Sequence, residues 1–143
     1  MRSVFVFLRT AERPEVERWL TENFRFQSGP PWIVDIQGDA CLYIEIYDNW
    51  HDDHEPEGWQ RVSEGFGWEP TCGVIADVSG RHPGDEQVSS FVLSTLERFD
   101  GVAMDDYTEH GWTRTQAESN SLVQGHRFFD TWGWYEEERK GAG

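Results

Sequence analysis

His51-Asp52-Asp53-His54, with Asp48 and Glu55 beside it, is the one stretch of this chain whose side chains resemble a set of metal ligands. Two imidazoles and up to four carboxylates suit a divalent transition metal. Such a site needs ligands held in fixed geometry. Here the two histidines lie three apart in a segment that reads as loop, with no third His or Cys nearby. The preferred identity is a solvated acidic loop that holds no metal and no cofactor. His51 and His54 remain the alternative ligand pair.

Asp105-Asp106, followed by Tyr107, Glu109 and His110, is the second candidate. Adjacent carboxylates push their pKa values apart, and a histidine beside them could share acid–base work. Successive strand residues point to opposite faces, however, so the two carboxylates need not meet. A turn with acidic caps is the simpler identity. No Gly-x-Ser-x-Gly elbow occurs, and Glu64-Gly65-Phe66-Gly67-Trp68 lacks the Lys-Ser/Thr of a phosphate loop. His82, His110 and His126 are scattered. No catalytic residue is assigned, and the chain is not read as an enzyme.

Charge and tryptophan point elsewhere. The 143 residues carry 27 Asp+Glu against 12 Lys+Arg, a net charge of -15. That excludes a broad basic surface for nucleic acid or anionic membrane. Residues 1–30 hold four acids and five bases, residues 31–80 eleven acids and one base, and residues 81–143 twelve acids and six bases. The middle third therefore dominates the field, and Asp48 to Glu57 contains five acids and no base. Of eight Trp, Trp19 and Trp32 fall on apolar faces and should be core. Trp50, Trp59, Trp68, Trp112, Trp132 and Trp134 fall where regular structure is weakest. Trp anchors beside steering carboxylates are a common way to hold a basic protein. The candidate partner-binding residues are Asp48, Trp50, Asp52, Asp53, Glu55, Glu57, Trp59, Asp105, Asp106 and Glu109.

The elements that must position these residues follow from periodicity. Val4–Leu8 is a continuous apolar run, suited to an inner strand. Val16, Trp19, Leu20 and Phe24 keep helical spacing after Pro14. Trp32–Ile36 and Ala40–Tyr47 read as a hairpin. A three-residue loop, Gln37-Gly38-Asp39, pairs Trp32 with Ile44, Val34 with Leu42 and Ile36 with Ala40 on one apolar face, with Asp39 left-handed. Pro56 opens a short helix that Gly65 is expected to stop, and Cys72–Val78 is another strand. Val88, Phe91, Val92, Thr95, Leu96 and Phe99 mark the clearest helix, capped near Asp85. Val102–Met104 is a short strand, Thr115–Ser119 one helical turn, and His126–Tyr135 is of undecided type. Strand, helix, three strands, helix, strand makes an α+β two-layer sandwich: an antiparallel meander, two main helices and a ferredoxin-like (split βαβ) skeleton, then an irregular C-terminal section. One domain over 1–135 and a disordered polar tail over 136–143 are expected.

No apolar run reaches signal-peptide or membrane-span length, so a cytoplasmic location is expected. Cys41 and Cys72 lie in strand-like segments without ligand spacing and read as buried reduced thiols.

Phe99-Asp100-Gly101-Val102-Ala103-Met104-Asp105-Asp106-Tyr107, then His110, Trp112-Thr113 and Gly125-His126-Arg127-Phe128-Phe129-Asp130, resembles a pattern in small acidic bacterial proteins, some of them similar to immunity proteins of polymorphic toxin systems. The resemblance covers the last third of the chain. It implies a compact acidic α+β inhibitor that binds and blocks a toxin, possible targets including a nuclease whose phosphate-binding site would accept carboxylates. The expected function is therefore a binding module for a basic protein partner, with no direct nucleic-acid or membrane binding. The alternatives are a small hydrolase or metal-dependent enzyme using the His/Asp clusters, and a non-catalytic structural protein kept soluble by its charge.

Overall fold

The computed structural model describes residues 2–26 and 28–142. Strand β1 (Arg2–Leu8) turns Val4, Val6 and Leu8 to one face and Phe5 and Phe7 to the other, so it is apolar on both sides. Helix α1 (Arg13–Asn23) has Pro14 in its first turn, where a missing N–H costs nothing, and buries Val16 and Leu20. Strands β2 (Trp32–Ile36) and β3 (Asp39–Ile46) form the hairpin. The short helices α2 (Trp50–Asp53) and α3 (Pro56–Phe66) lead to β4 (Cys72–Val78). The long helix α4 (Asp85–Arg98), β5 (Gly101–Asp105), the one-turn α5 (Arg114–Glu118) and α6 (Thr131–Ala142) complete the chain.

The sheet runs β2-β3-β4-β1-β5 with every neighbouring pair antiparallel. Strands β1 and β3 therefore point the same way with β4 between them, and β4 and β5 do so with β1 between them. These are two interleaved βαβ units, the split βαβ skeleton, with β2 added at an edge. Helices α1 and α4 pack on the face that carries Val4, Val6, Leu42, Ile44, Val74 and Ala76. The protein is an α+β sandwich. On the second face, α2 and α3 add a partial third layer: Trp50, Trp59 and Val62 cover Phe7, Tyr47, Val102 and Met104. Pro56 opens α3, but Gly67 ends it rather than Gly65, adopting φ 81° where the helix must turn back.

In the hairpin, hydrophobic register and turn geometry each prevail at one end. Trp32 faces Ile44 and Val34 faces Leu42, as the apolar pattern requires. Near the turn the pairing shifts: Ile36 faces Asp39 instead of Ala40, and Asp35 faces Ala40. Gln37 and Gly38, not Asp39, take positive φ (50° and 83°), a two-residue loop whose twist matches the strands. Cys41 becomes the extra residue of a bulge, which buries both Cys41 and Leu42. Cys41 and Cys72 are free, buried thiols; burial pushes the Cys72 thiol up to about 11.

The N-termini of α4 and α5 are closed in different ways. Gly84, at φ 76°, is the N-cap of α4, and a Cβ there would meet Val78 at 2.5 Å. Asp85 is thereby released from capping and lies 3.6 Å from Arg2 and 3.8 Å from Arg127. Helix α5 has a full capping box between Thr113 and Gln116. The polar tail expected to be disordered from residue 136 is instead helical as far as Ala142.

His126 explains how α6 is held. Its ring stacks on Trp134 with centroids 3.9 Å apart, its Nδ1 lies 3.1 Å from Asp130, and its Nε2 faces Glu137. Only an imidazolium donates from both nitrogens. The Glu137 bond, aided by Asp130, therefore raises the His126 pKa above its ordinary value against the opposing cost of burial. Arg127, 3.9 Å from Asp130, is the nearby cation. The folded-state value is raised, so the stabilisation is complete below the unfolded histidine pKa of about 6.5 and is lost as pH rises through the folded value. Backbone chemical shifts of α6 should report a docked helix at pH 5 and progressive loosening above neutrality. His126→Gln should remove that pH dependence, and an α6 indifferent to pH would refute the clamp.

Gly73 tests the second layer. A Cβ there would sit 2.4 Å from the Tyr47 carbonyl oxygen and 3.2 Å from the Trp50 ring. Gly73→Ala should cost on the order of 1–3 kcal/mol in chemical denaturation and perturb the tryptophan near-UV signal. Gly65→Ala, in open space within α3, should be neutral or stabilising by a few tenths of a kcal/mol.

Candidate functional site

The sequence nominated Trp50 and Trp59 as exposed anchors, and the fold buries both, at 7% and 4% exposure. The reason is Phe7: an aromatic on the second face of a central strand needs cover, and Trp50, edge-on, and Trp59, tilted, pack around it with centroids 6.0 and 5.5 Å away. The Trp59 indole N–H donates to Glu69. Trp112 is also core, Trp68 and Trp134 are half-buried, and Trp132 is exposed at 69%. His51 and His54 flank the Trp59 ring, and His54 faces the Trp50 carbonyl through Nδ1. No group of three or more His, Cys, Asp or Glu is arranged to hold a metal ion among the described residues.

The nominated acids separate into different roles. Asp48 pairs with Arg13 at 2.9 Å, and Glu109 pairs bidentately with Arg61 at 2.6 Å, which holds the Glu109 carboxyl below its usual range. Asp53 accepts the Tyr47 hydroxyl; that bond and, first, burial push the tyrosine far above its ordinary value. Asp52, Glu55 and Glu57 stand exposed on α2 and the start of α3.

Asp105 and Asp106 point to opposite faces. Asp105 is buried and accepts backbone N–H groups from Tyr107, Thr108 and Phe129. It latches the C-terminal section to β5. Burial raises its pKa, against the pull of those three donors. Asp106 emerges on the second face, where it accepts the Ser3 N–H at 2.7 Å. Desolvation, then the Asp105 and Asp77 carboxylates, raise its pKa. His110 does not join them; its Nε2 faces the Gln116 side-chain oxygen.

The partial third layer leaves much of the second sheet face open, and strand register fixes what lies there. One row across the strands is Ile33, Tyr43, Asp77 and Ser3, with Asp106 beyond the end of β5. The next is Glu45, Ile75, Phe5 and Met104. Glu45 and Asp106 are exposed, while Ser3, Phe5, Ile33, Tyr43, Ile75 and Asp77 are partly buried. None of Ser3, Phe5, Tyr43, Ile75 or Asp77 was nominated from sequence. The alternation was there to be read, but a run apolar on both faces conceals which face is covered.

Ten of the twelve cationic side chains lie within 4.0 Å of a carboxylate. Among the described residues, Asp52, Asp53, Glu55, Glu57, Glu64 and Glu69 of the α2–α3 layer, and Glu45, Asp77 and Asp106 of the sheet face, lack such a partner. The surface clefts along α4 and between α1 and the hairpin are lined by no histidine. No described helix is long and apolar enough to cross a membrane.

Asp105→Asn tests the latch. The amide can replace Oδ1 as acceptor, but it turns an NH2 toward the Phe129 N–H or leaves that donor unpaired. The loss should be on the order of 1–3 kcal/mol, with faster hydrogen exchange through residues 126–131. Unchanged exchange there would show that other contacts hold the segment.

No protein-family model matches this chain, and neither does any curated protein or solved structure, so its own surface chemistry has to carry the functional assignment.

Proposed function

We propose that the protein is a non-catalytic binding module that engages a basic protein, acting as an inhibitor of the immunity type. The observation that carries this is the distribution of uncompensated charge. Arginines are spent in ion pairs around the molecule, while one flank, α2–α3 with the adjoining sheet face, keeps carboxylates that no described Arg, Lys or His side chain approaches within 4.0 Å. Exposed pairs of this kind add little stability. Carboxylates left in excess create a field that draws in cations and speeds encounter. A toxin whose active site binds phosphate presents such a cationic surface. The resemblance of the C-terminal third to immunity proteins agrees with this assignment, and the buried Trp50 and Trp59 move the anchoring role to other apolar side chains.

The test is capture of the partner from the native cell, followed by association kinetics at several salt concentrations. The captured protein should be cationic, and the on-rate should fall as salt shortens the field. Asp52→Asn, Glu55→Gln and Glu57→Gln together should slow association on the order of tenfold with little change in dissociation. Asp53 is kept because it holds the Tyr47 hydroxyl. Binding indifferent to salt and to the triple change would assign the acidity to solubility alone.

A further inference from the structure

We propose that the open half of the second sheet face is the docking surface for a cationic segment of the protein partner, with Asp77 and Asp106 taking an arginine or lysine head group and Phe5, Tyr43 and Ile75 taking its apolar surroundings. This rests on the reading of the protein as a binder of basic partners and places the contact on a particular surface.

The first argument is convergence. Asp77 lies on β4 and Asp106 follows β5, on either side of β1, yet both carboxylates meet Ser3: its hydroxyl donates to Asp77 at 2.5 Å and its backbone N–H to Asp106 at 2.7 Å. One residue thus holds two carboxylates at one spot, each with acceptor capacity left over. A planar guanidinium, with five N–H donors, can serve both at once. Their mutual repulsion, part of what raises the Asp106 pKa, is relieved when a cation arrives.

The second argument is the floor beside them. Phe5 and Ile75 pack against the margin of the aromatic cluster under α3 but are only partly buried, and Tyr43 lies in the same row as Asp77. Aliphatic stems of Arg and Lys settle on such surfaces, and aromatic faces attract their charged ends. The far edge is closed by cations already engaged: Arg25 binds Asp35 bidentately and Arg81 binds Asp39. The α2–α3 flank has the complementary deficiency, carrying exposed acids over tryptophans that are sealed inside. It steers; the sheet face grips.

The probe is an end-capped Arg-Leu-Arg-Leu-Arg peptide, with Glu-Leu-Glu-Leu-Glu as its control, titrated into the 15N-labelled full chain at about 150 mM salt. Saturable shifts are expected at Ser3, Tyr43, Ile75, Asp77 and Asp106 with the basic peptide only. Asp77→Asn with Asp106→Asn should weaken binding by about tenfold, and Tyr43→Ala by about threefold. Glu45→Lys, at an exposed position that leaves the core untouched, should also weaken it and guards against misfolding of the double variant. The Asp52, Glu55 and Glu57 triple variant should change the affinity of this short peptide less than about twofold, because, unlike the whole partner, a peptide seated on the sheet face does not extend over α2–α3. Shifts confined to α2–α3 and abolished by that triple change would overturn the sheet-face site while sparing the cationic partner. Equal binding of both peptides, or no saturable shift at all, would also overturn it; the wider proposal falls separately, on salt-indifferent binding of the captured partner.

Discussion

Strand β1 runs between β4 and β5 with apolar side chains on both of its faces, and a strand so placed is stable only when both faces are covered. Helices α1 and α4 supply one cover by the ordinary logic of two βαβ crossovers. The other cover has to come from somewhere else. The connection between β3 and β4 supplies it, swelling from a turn into α2 and α3 and delivering Trp50, Trp59 and Phe66 onto Phe7. Gly73 belongs to the same requirement, because only a residue without Cβ lets the Tyr47 carbonyl and the Trp50 ring come down onto β4. The cover extends only as far as these aromatics reach. What remains of the second face is left to solvent, with Phe5 and Ile75 at its boundary.

The electrostatics follow from how few cations the chain has. Twelve bases cannot neutralise 27 acids, so their placement decides where the field lies. Arg2, Arg25, Arg81 and Arg127 tie together sheet edges, the N-terminus of α4 and the C-terminal section. Arg61, the single base of the middle third, is committed to Glu109. The α2–α3 layer is therefore apolar beneath and negative above. Its helices exist to bury aromatics, and their outer faces are free to carry charge.

Much of this was legible from the residues. The order of elements, the interior position of β1, the amphipathic α4 and the pairing of Trp32 with Ile44 follow from periodicity and register. The hairpin turn was not, because a two-residue loop with a bulge at Cys41 satisfies both the apolar pattern and the turn, and the pattern alone does not reveal a bulge. The burial of Trp50 and Trp59 was missed for a different reason. Acids surround them in sequence, α2 is only four residues long, and the helical spacing of Trp59, Val62 and Phe66 in α3 does not say what that apolar side covers. Their partner is Phe7, more than forty residues away, and only the tertiary requirement of β1 brings them to it. Helix α6 was illegible for a similar reason, since its tie is His126 and its own composition is that of a frayed end.

Asp105 and Asp106 show how one strand end serves two purposes. They are adjacent, so the pleat sends them to opposite faces, and the two faces differ in cover. Asp105 enters the covered side, where both of its oxygens accept backbone N–H groups, three in all, which offset the cost of burying a carboxylate. Buried as it is, it cannot be reached by a ligand. Asp106 enters the open side, holds a single backbone N–H and has Asp77 as a repelling neighbour. The same residue type is thus buried and structural in one position and solvent-facing in the next. Any cation that binds here gains its attraction from a carboxylate pair already assembled around Ser3, so the ordering cost has been met during folding rather than at encounter.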